Sequence, residues 1–207
     1  MAAESQNMEK LSTPWGLADY VHFHDPDRKI RRVSTSSHGG ISVSRQLKMP
    51  EHLAALGMPD ATGCLWFEED LAWAAVPAAF PQHFNPEMVE AAQQTLRHHF
   101  PEAYVAQFGG VLTASTSRAL EQREWEAATA DKFVVTAGWG SWAWDVPIGH
   151  VYACGWRRKD EATAGFLVPC DQYVNEGRLV LDGFPRWEPN RSLPYFKPSP
   201  APALATA

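Results

Sequence analysis

The chain has 207 residues, 45% of them hydrophobic, with 18 Lys and Arg against 24 Asp and Glu for a net charge of −6, and a chain of this size buries roughly 70% of the surface its unfolded form exposes without a covalent staple. Its three cysteines, Cys64, Cys154 and Cys170, form no C-x-x-C pair, which argues against a disulfide framework and a Cys-rich zinc site. No run of eighteen apolar residues and no basic-then-apolar start occurs, so neither membrane spanning nor export by a standard signal is expected, and a cytoplasmic setting follows.

The start, Met1 to Asn7, is polar, and residues 1–12 are expected to be flexible. Leu17 to His24 and Ile30 to Thr35 read as two strands of a hairpin, because Asp25-Pro26 starts a turn and the flanks carry Val, Phe, Ile and Tyr. Ile41 to Ser44 alternates apolar and polar residues and continues the sheet, which places His38 on a turn between strands. Glu68, Glu69 and Asp70 precede Leu71 to Ala75 and read as the acidic first turn of a helix that Pro77 kinks or ends. Asn85-Pro86 has the form of an N-cap with Pro at the first helical position, and Val89, Ala92, Leu96 and Phe100 follow at helical spacing until Pro101. A short helix over Glu102 to Phe108 and a polar one over Ser117 to Ala130 complete the middle of the chain.

From Lys132 the pattern becomes β: Phe133 to Thr136, His150 to Cys154, Phe166 to Val168 and Arg178 to Leu181 predict an antiparallel meander. The segment from Pro185 carries six prolines, so 185–207 reads as a largely disordered tail, most of all from Ser199. The expectation is an α+β fold in one domain over 13–184. Its N- and C-terminal β segments form an antiparallel sheet, and a central group of helices packs on one side of it.

Two polar runs hold the candidate site. Ser34-Thr35-Ser36-Ser37-His38-Gly39-Gly40 offers hydroxyls, an imidazole and two glycines, and Trp66-Phe67-Glu68-Glu69-Asp70-Leu71-Ala72-Trp73 offers three carboxylates between tryptophans. Residues 61–131 hold three basic and ten acidic residues, a balance that favours basic partners and repels phosphate backbones. Glu68, Glu69 and Asp70 are therefore binding candidates, together with His38 and with Trp139, Trp142 and Trp144, which cannot all be buried in their Gly-containing stretch. An enzymatic alternative pairs His38 as base or ligand with Glu68 or Asp70 in a metal-assisted or His-dependent hydrolase. Against it, Gly138-Trp139-Gly140-Ser141-Trp142 lacks the spacing of a nucleophile elbow. His22 and His24 share a strand face and His98-His99 make a poor chelate, but no metal-binding signature contains them. No catalytic residue, cofactor or metal is assigned. Direct nucleic-acid binding is a further alternative, resting only on the short basic runs 28–32 and 157–159.

Thr13-Pro14-Trp15-Gly16, the Ser34 to Gly40 run, the Trp66 to Trp73 run, Thr95-Leu96-Arg97 and Phe166-Leu167-Val168-Pro169 together resemble an uncharacterised domain family carried by phages, plasmids and other bacterial mobile elements. The similarity spans most of residues 13–182, and the chain departs from it with Leu71 where Cys is common. The resemblance implies a bacterial host cell and the company of genes that often encode small inhibitors of host defence. A non-enzymatic counter-defence protein that binds a CRISPR or restriction complex through a basic surface is the function so implied.

Overall fold

The computed structural model describes residues 11–174, 177–193 and 195–196. The expected disorder from Ser199, and all but the end of the expected flexible N-terminus, lie outside these residues. The expected single domain resolves into two compact units that divide between Gln122 and Arg123. Helices and antiparallel strands are both present, as the α+β reading requires.

The first unit opens on a corner, β1 (Ser12–Thr13) and β2 (Gly16–Leu17), which pair antiparallel around Pro14 and Trp15. Ser12 thus belongs to a strand. Gly16 takes φ +118°, a conformation that costs a residue with a Cβ. A five-stranded antiparallel sheet follows, built from β3 (Tyr20–Phe23), β4 (Ile30–Ser34) and β5 (Gly39–Val43), and from β6 (Met58–Pro59) and β7 (Leu65–Glu68), which lie after the short helix α1 (Glu51–Ala54). Its order is β3-β4-β5-β7-β6. The β3–β4 hairpin is fixed by Asp25, whose carboxylate accepts from the backbone N–H of Lys29 (3.1 Å) and Ile30 (2.6 Å).

Side chains alternate across a strand, and the register shows which face each takes. Ile30, Val43 and Leu65 align across the sheet, as do Arg32, Ile41 and Phe67. This face is covered by a 3-10 turn (Ala72–Ala74) and the helices α2 (Ala75–Ala79), α3 (Pro86–His99) and α4 (Pro101–Phe108), whose Val76, Ala92 and Leu96 join Ile30, Ile41 and Phe67 in one core. Pro77 neither ends nor interrupts α2, because it is the third helical residue, where the N–H has no intrahelical partner to lose. Asn85 caps α3 by accepting from the Met88 N–H at 2.7 Å. The opposite face carries Trp66, with Trp15 edge-on at 6.0 Å and Arg31 over its ring.

The second unit forms three of the four expected strands as a meander, while the fourth segment, Arg178 to Leu181, is no strand and crosses back to meet Val134 instead of following the last strand. After α5 (Arg118–Ala128), within which the division falls, β8 (Val134–Trp139), β9 (His150–Arg157) and β10 (Ala162–Pro169) pair antiparallel in the order β10-β9-β8. Leu179 to Leu181 lies along β8, with the Val135 N–H donating to Leu179 and the Leu181 N–H to Phe133. Phe133, Val135, Ala153, Phe166, Val168 and Leu181 form its core.

Two expectations need correcting. The N- and C-terminal β segments form separate sheets: most strands pair across a short turn, and β5 with β7 across residues 44–64, all shorter closures than one joining the two ends of the chain. Pro185 to Trp187 is ordered against β10, with the Leu167 N–H donating to Pro185 and the Trp187 N–H to Gly165. Proline cannot donate, but its carbonyl still accepts.

Candidate functional site

Three of the sequence motifs meet on the five-stranded sheet. The Thr35–His38 turn is closed by its own hydroxyls. The Thr35 N–H and Oγ1–H both donate to the His38 carbonyl (2.7 and 2.8 Å), and Thr35 Oγ1 accepts from the His38 N–H at 3.1 Å. The Ser/Thr run is thereby used locally, and His38 is exposed at the tip.

The glycines after the turn make the close approaches possible. At Gly40, which pairs with Val33 on one side and Glu68 on the other, a Cβ would collide with the Phe67 carbonyl and with the Trp15 ring. Gly39 receives the Glu69 N–H on its carbonyl at 3.1 Å, and a Cβ there would lie 2.5 Å from Glu69 Oε2. The glycine pair therefore admits Trp15 on one face and the Glu69 carboxylate on the other.

The acidic run does not start a helix. Glu68 is the last residue of β7, and its carboxylate accepts from the backbone N–H groups of Asp70 and Leu71, turning the chain toward Trp73. Glu69 and Asp70 are exposed. Of the three expected binding carboxylates, Asp70 is exposed, Glu69 is exposed with its carboxylate over Gly39, and Glu68 is engaged by its own loop. Glu69, Arg32, Gly40, Ile41, Trp73 and Met88 line a cleft of about 290 Å³ on the helix-covered face.

Sequence reasoning missed Arg32 and Met88. Arg32 stands beside Arg31 in the basic run 28–32, yet alternation sends the two to opposite faces: Arg31 Nε donates to Ser42 Oγ at 2.8 Å, while Arg32 aligns with Ile41. Met88 heads the stripe Met88, Ala92 and Leu96, spaced four residues apart along α3, and that periodicity was the signal for it.

Beside the cleft, the His24 ring lies against Phe84 at 4.4 Å and edge-on to His22 at 5.0 Å. Its pKa is lowered, first by burial and then by the positive charge potential of His22 and Arg32. Among the described residues no group of three His, Cys, Asp or Glu side chains is arranged to hold a metal ion.

On the other side of β7, Asp60 organises the turn to Trp66. Its Oδ1 accepts from the N–H and Oγ1–H of Thr62 (2.8 and 2.6 Å) and from the Cys64 N–H (3.0 Å), and its Oδ2 accepts from Trp66 Nε1 (2.8 Å). The Thr62 and Trp66 bonds hold its pKa down at about 2. These bonds fix Trp66 against Trp15.

The tryptophans of the second unit form their own cluster. Trp139 and Trp144 are half-buried, Trp139 Nε1 donates to the Tyr195 hydroxyl at 3.1 Å, and the Trp144 N–H donates to the Tyr195 carbonyl at 3.0 Å. Of the three tryptophans expected not all to be buried, Trp142 is the exposed one, 48% exposed and stacked on Phe196, itself 68% exposed. Tyr152 is fully buried beneath, where burial and its bonds with Cys154 and Glu188 push the phenol's pKa up and keep it protonated.

No helix among the described residues is long and apolar enough to cross a membrane. No curated protein and no solved structure matches the chain. A family model described as a domain of unknown function (DUF7007) matches residues 8–130, a span that contains the corner, the whole five-stranded sheet and the cleft, and the chain belongs to that family.

Proposed function

We propose that the protein acts by binding a protein partner with a basic surface, without catalysis, through Glu69 and Asp70. The observation that carries this reading is their placement. Both are exposed at the exit of a strand held on a packed core, and no ion pair engages them among the described residues. Fixed, un-neutralised charge of one sign speeds encounter with an oppositely charged surface and sets orientation. The mobile-element resemblance supplies the partner class: a host defence complex of the CRISPR or restriction type in a bacterial cell, with the protein as its inhibitor. On the second unit, the exposed Trp142 and Phe196 form a separate candidate patch for a partner's apolar surface.

A hydrolase built on His38 with Glu68 or Asp70 has less support, since the Glu68 carboxylate is committed to its own loop. Direct nucleic-acid binding has less still. Arg157 pairs bidentately with Asp160, and Arg158 pairs with Glu126.

The test is affinity purification of tagged protein from bacteria carrying CRISPR and restriction systems, with bound chains identified by mass spectrometry. The expected result is stoichiometric recovery of a defence complex, lost in Glu69→Lys/Asp70→Lys. Blocked defence with no recovered partner, or recovery unchanged in that variant, overturns the reading.

A further inference from the structure

The cleft on the helix-covered face has a composition that the acidic reading does not use. Along β4, β5 and β7, the row Arg32, Ile41 and Phe67 lies next to a row containing Gly39, which has no side chain. The Glu69 carboxylate occupies the space over that glycine. Arg32 and Glu69 thus both line the cleft, with buried Ile41 between them and Trp73 and Met88 supplying the wall from the helices.

Arg32 and Glu69 do not form an ion pair with each other, nor does Arg32 pair with another carboxylate among the described residues. Opposite charges held apart across an apolar floor set a condition on any occupant. An anion that meets Arg32 is repelled by Glu69, a cation on Glu69 is repelled by Arg32, and an apolar molecule desolvates both without replacing their hydrogen bonds. A molecule carrying a carboxylate at one end and an ammonium at the other satisfies both walls, while its carbon body packs on Trp73, Ile41 and Met88. The volume of about 290 Å³ lies at the small end of ligand pockets, which run from about 300 to 1,000 Å³.

We propose that this cleft binds a small zwitterion, an amino acid or a dipeptide, with its carboxylate on Arg32 and its ammonium on Glu69. The proposal goes beyond the protein-binding reading and stands without it. The two share Glu69, but Arg32 belongs to the cleft alone.

The test is isothermal titration of the full chain with the standard free amino acids and a panel of glycyl dipeptides, each also as its N-acetyl and C-amide derivative. At least one zwitterion is expected to bind with a Kd below about 1 mM, and blocking either end is expected to weaken it at least about tenfold. In Arg32→Gln the acid and its amide should bind alike. In Glu69→Gln the amine and its N-acetyl derivative should bind alike. No binding by any member overturns the proposal, and so does binding in which both variants keep the wild-type discrimination between ends. The derivatives test the wild-type protein directly, so the result does not depend on how the variants fold. Partner capture by Arg32→Gln should match wild type, which separates failure here from failure of the protein-binding reading.

Discussion

Gly40→Ala tests the central packing claim, that Trp15 reaches the sheet only because β5 carries a residue without a side chain. The new Cβ would lie 2.8 Å from one Trp15 ring carbon, closer to another, and closer still to the Phe67 carbonyl, where carbon atoms at rest sit about 3.5–4.0 Å apart. The ring can swing away, but the carbonyl belongs to the β5–β7 ladder and cannot move without breaking register. Overpacking of this kind costs about 1–3 kcal/mol, and removing a glycine from a strand returns about 0.5–1 kcal/mol of chain entropy, a net between about 0 and 2.5 kcal/mol that falls at about 1–2 kcal/mol here because the collision includes a backbone carbonyl as well as a ring. With a urea slope of about 2 kcal/mol/M, the midpoint falls by about 0.5–1 M. The assay is urea unfolding of the full chain, read by amide exchange at Ile41, Ser42 and Val43 so that the first unit is followed by itself. In a Trp15→Ala background only the carbonyl collision remains, so Gly40→Ala should cost about 0.5–1 kcal/mol less there. An unchanged midpoint, or two substitutions that simply add, would refute the docking of Trp15 on Gly40.

The remaining predictions concern titration and surface. Asp60 has its folded pKa depressed to about 2 from a usual 3.8, so its contribution is present above pH 3.8 and is lost as pH falls toward 2. Because the side chain is partly exposed, that contribution is about 1 kcal/mol, and acid titration of Asp60→Ala by circular dichroism should lack it. His24 also has a lowered folded pKa, so the folded state resists protonation and stability should fall as pH drops below 6.5. His24→Phe should therefore flatten that slope, measured as the difference in thermal midpoint between pH 7.5 and pH 5.5. Trp142→Ser is expected to change stability by less than about 1 kcal/mol, while weakening capture of the defence complex at least about tenfold; unchanged capture would remove Trp142 from the interface.

The helical N-cap at Asn85, the hairpin across Asp25 and three of the four C-terminal β segments were legible because each is dictated by residues a few positions apart. Asn85 reaches Met88, Asp25 reaches Ile30, and apolar runs between charged turns read as strands whatever lies around them. The acidic run was misplaced for the same local reason. Carboxylates before an apolar stretch satisfy a helix N-terminus in sequence, but Glu68 had already been taken as the end of β7, and its side chain capped a turn instead.

The sequence by itself determined the α+β composition, the β3–β4 hairpin, the helix from Pro86 and the segments that carry unusual side chains, but not α1, β6 or β7. Tertiary structure alone decided that the β segments form two sheets, that Trp15 lies against Gly40, that Arg31 and Arg32 part to opposite faces, and that Glu69 crosses Gly39 to share a cleft with Arg32. Elements follow from short-range periodicity and capping, which are written in adjacent residues. The cleft depends on the register of β4, β5 and β7, where a slip of one residue would turn every side chain to the other face.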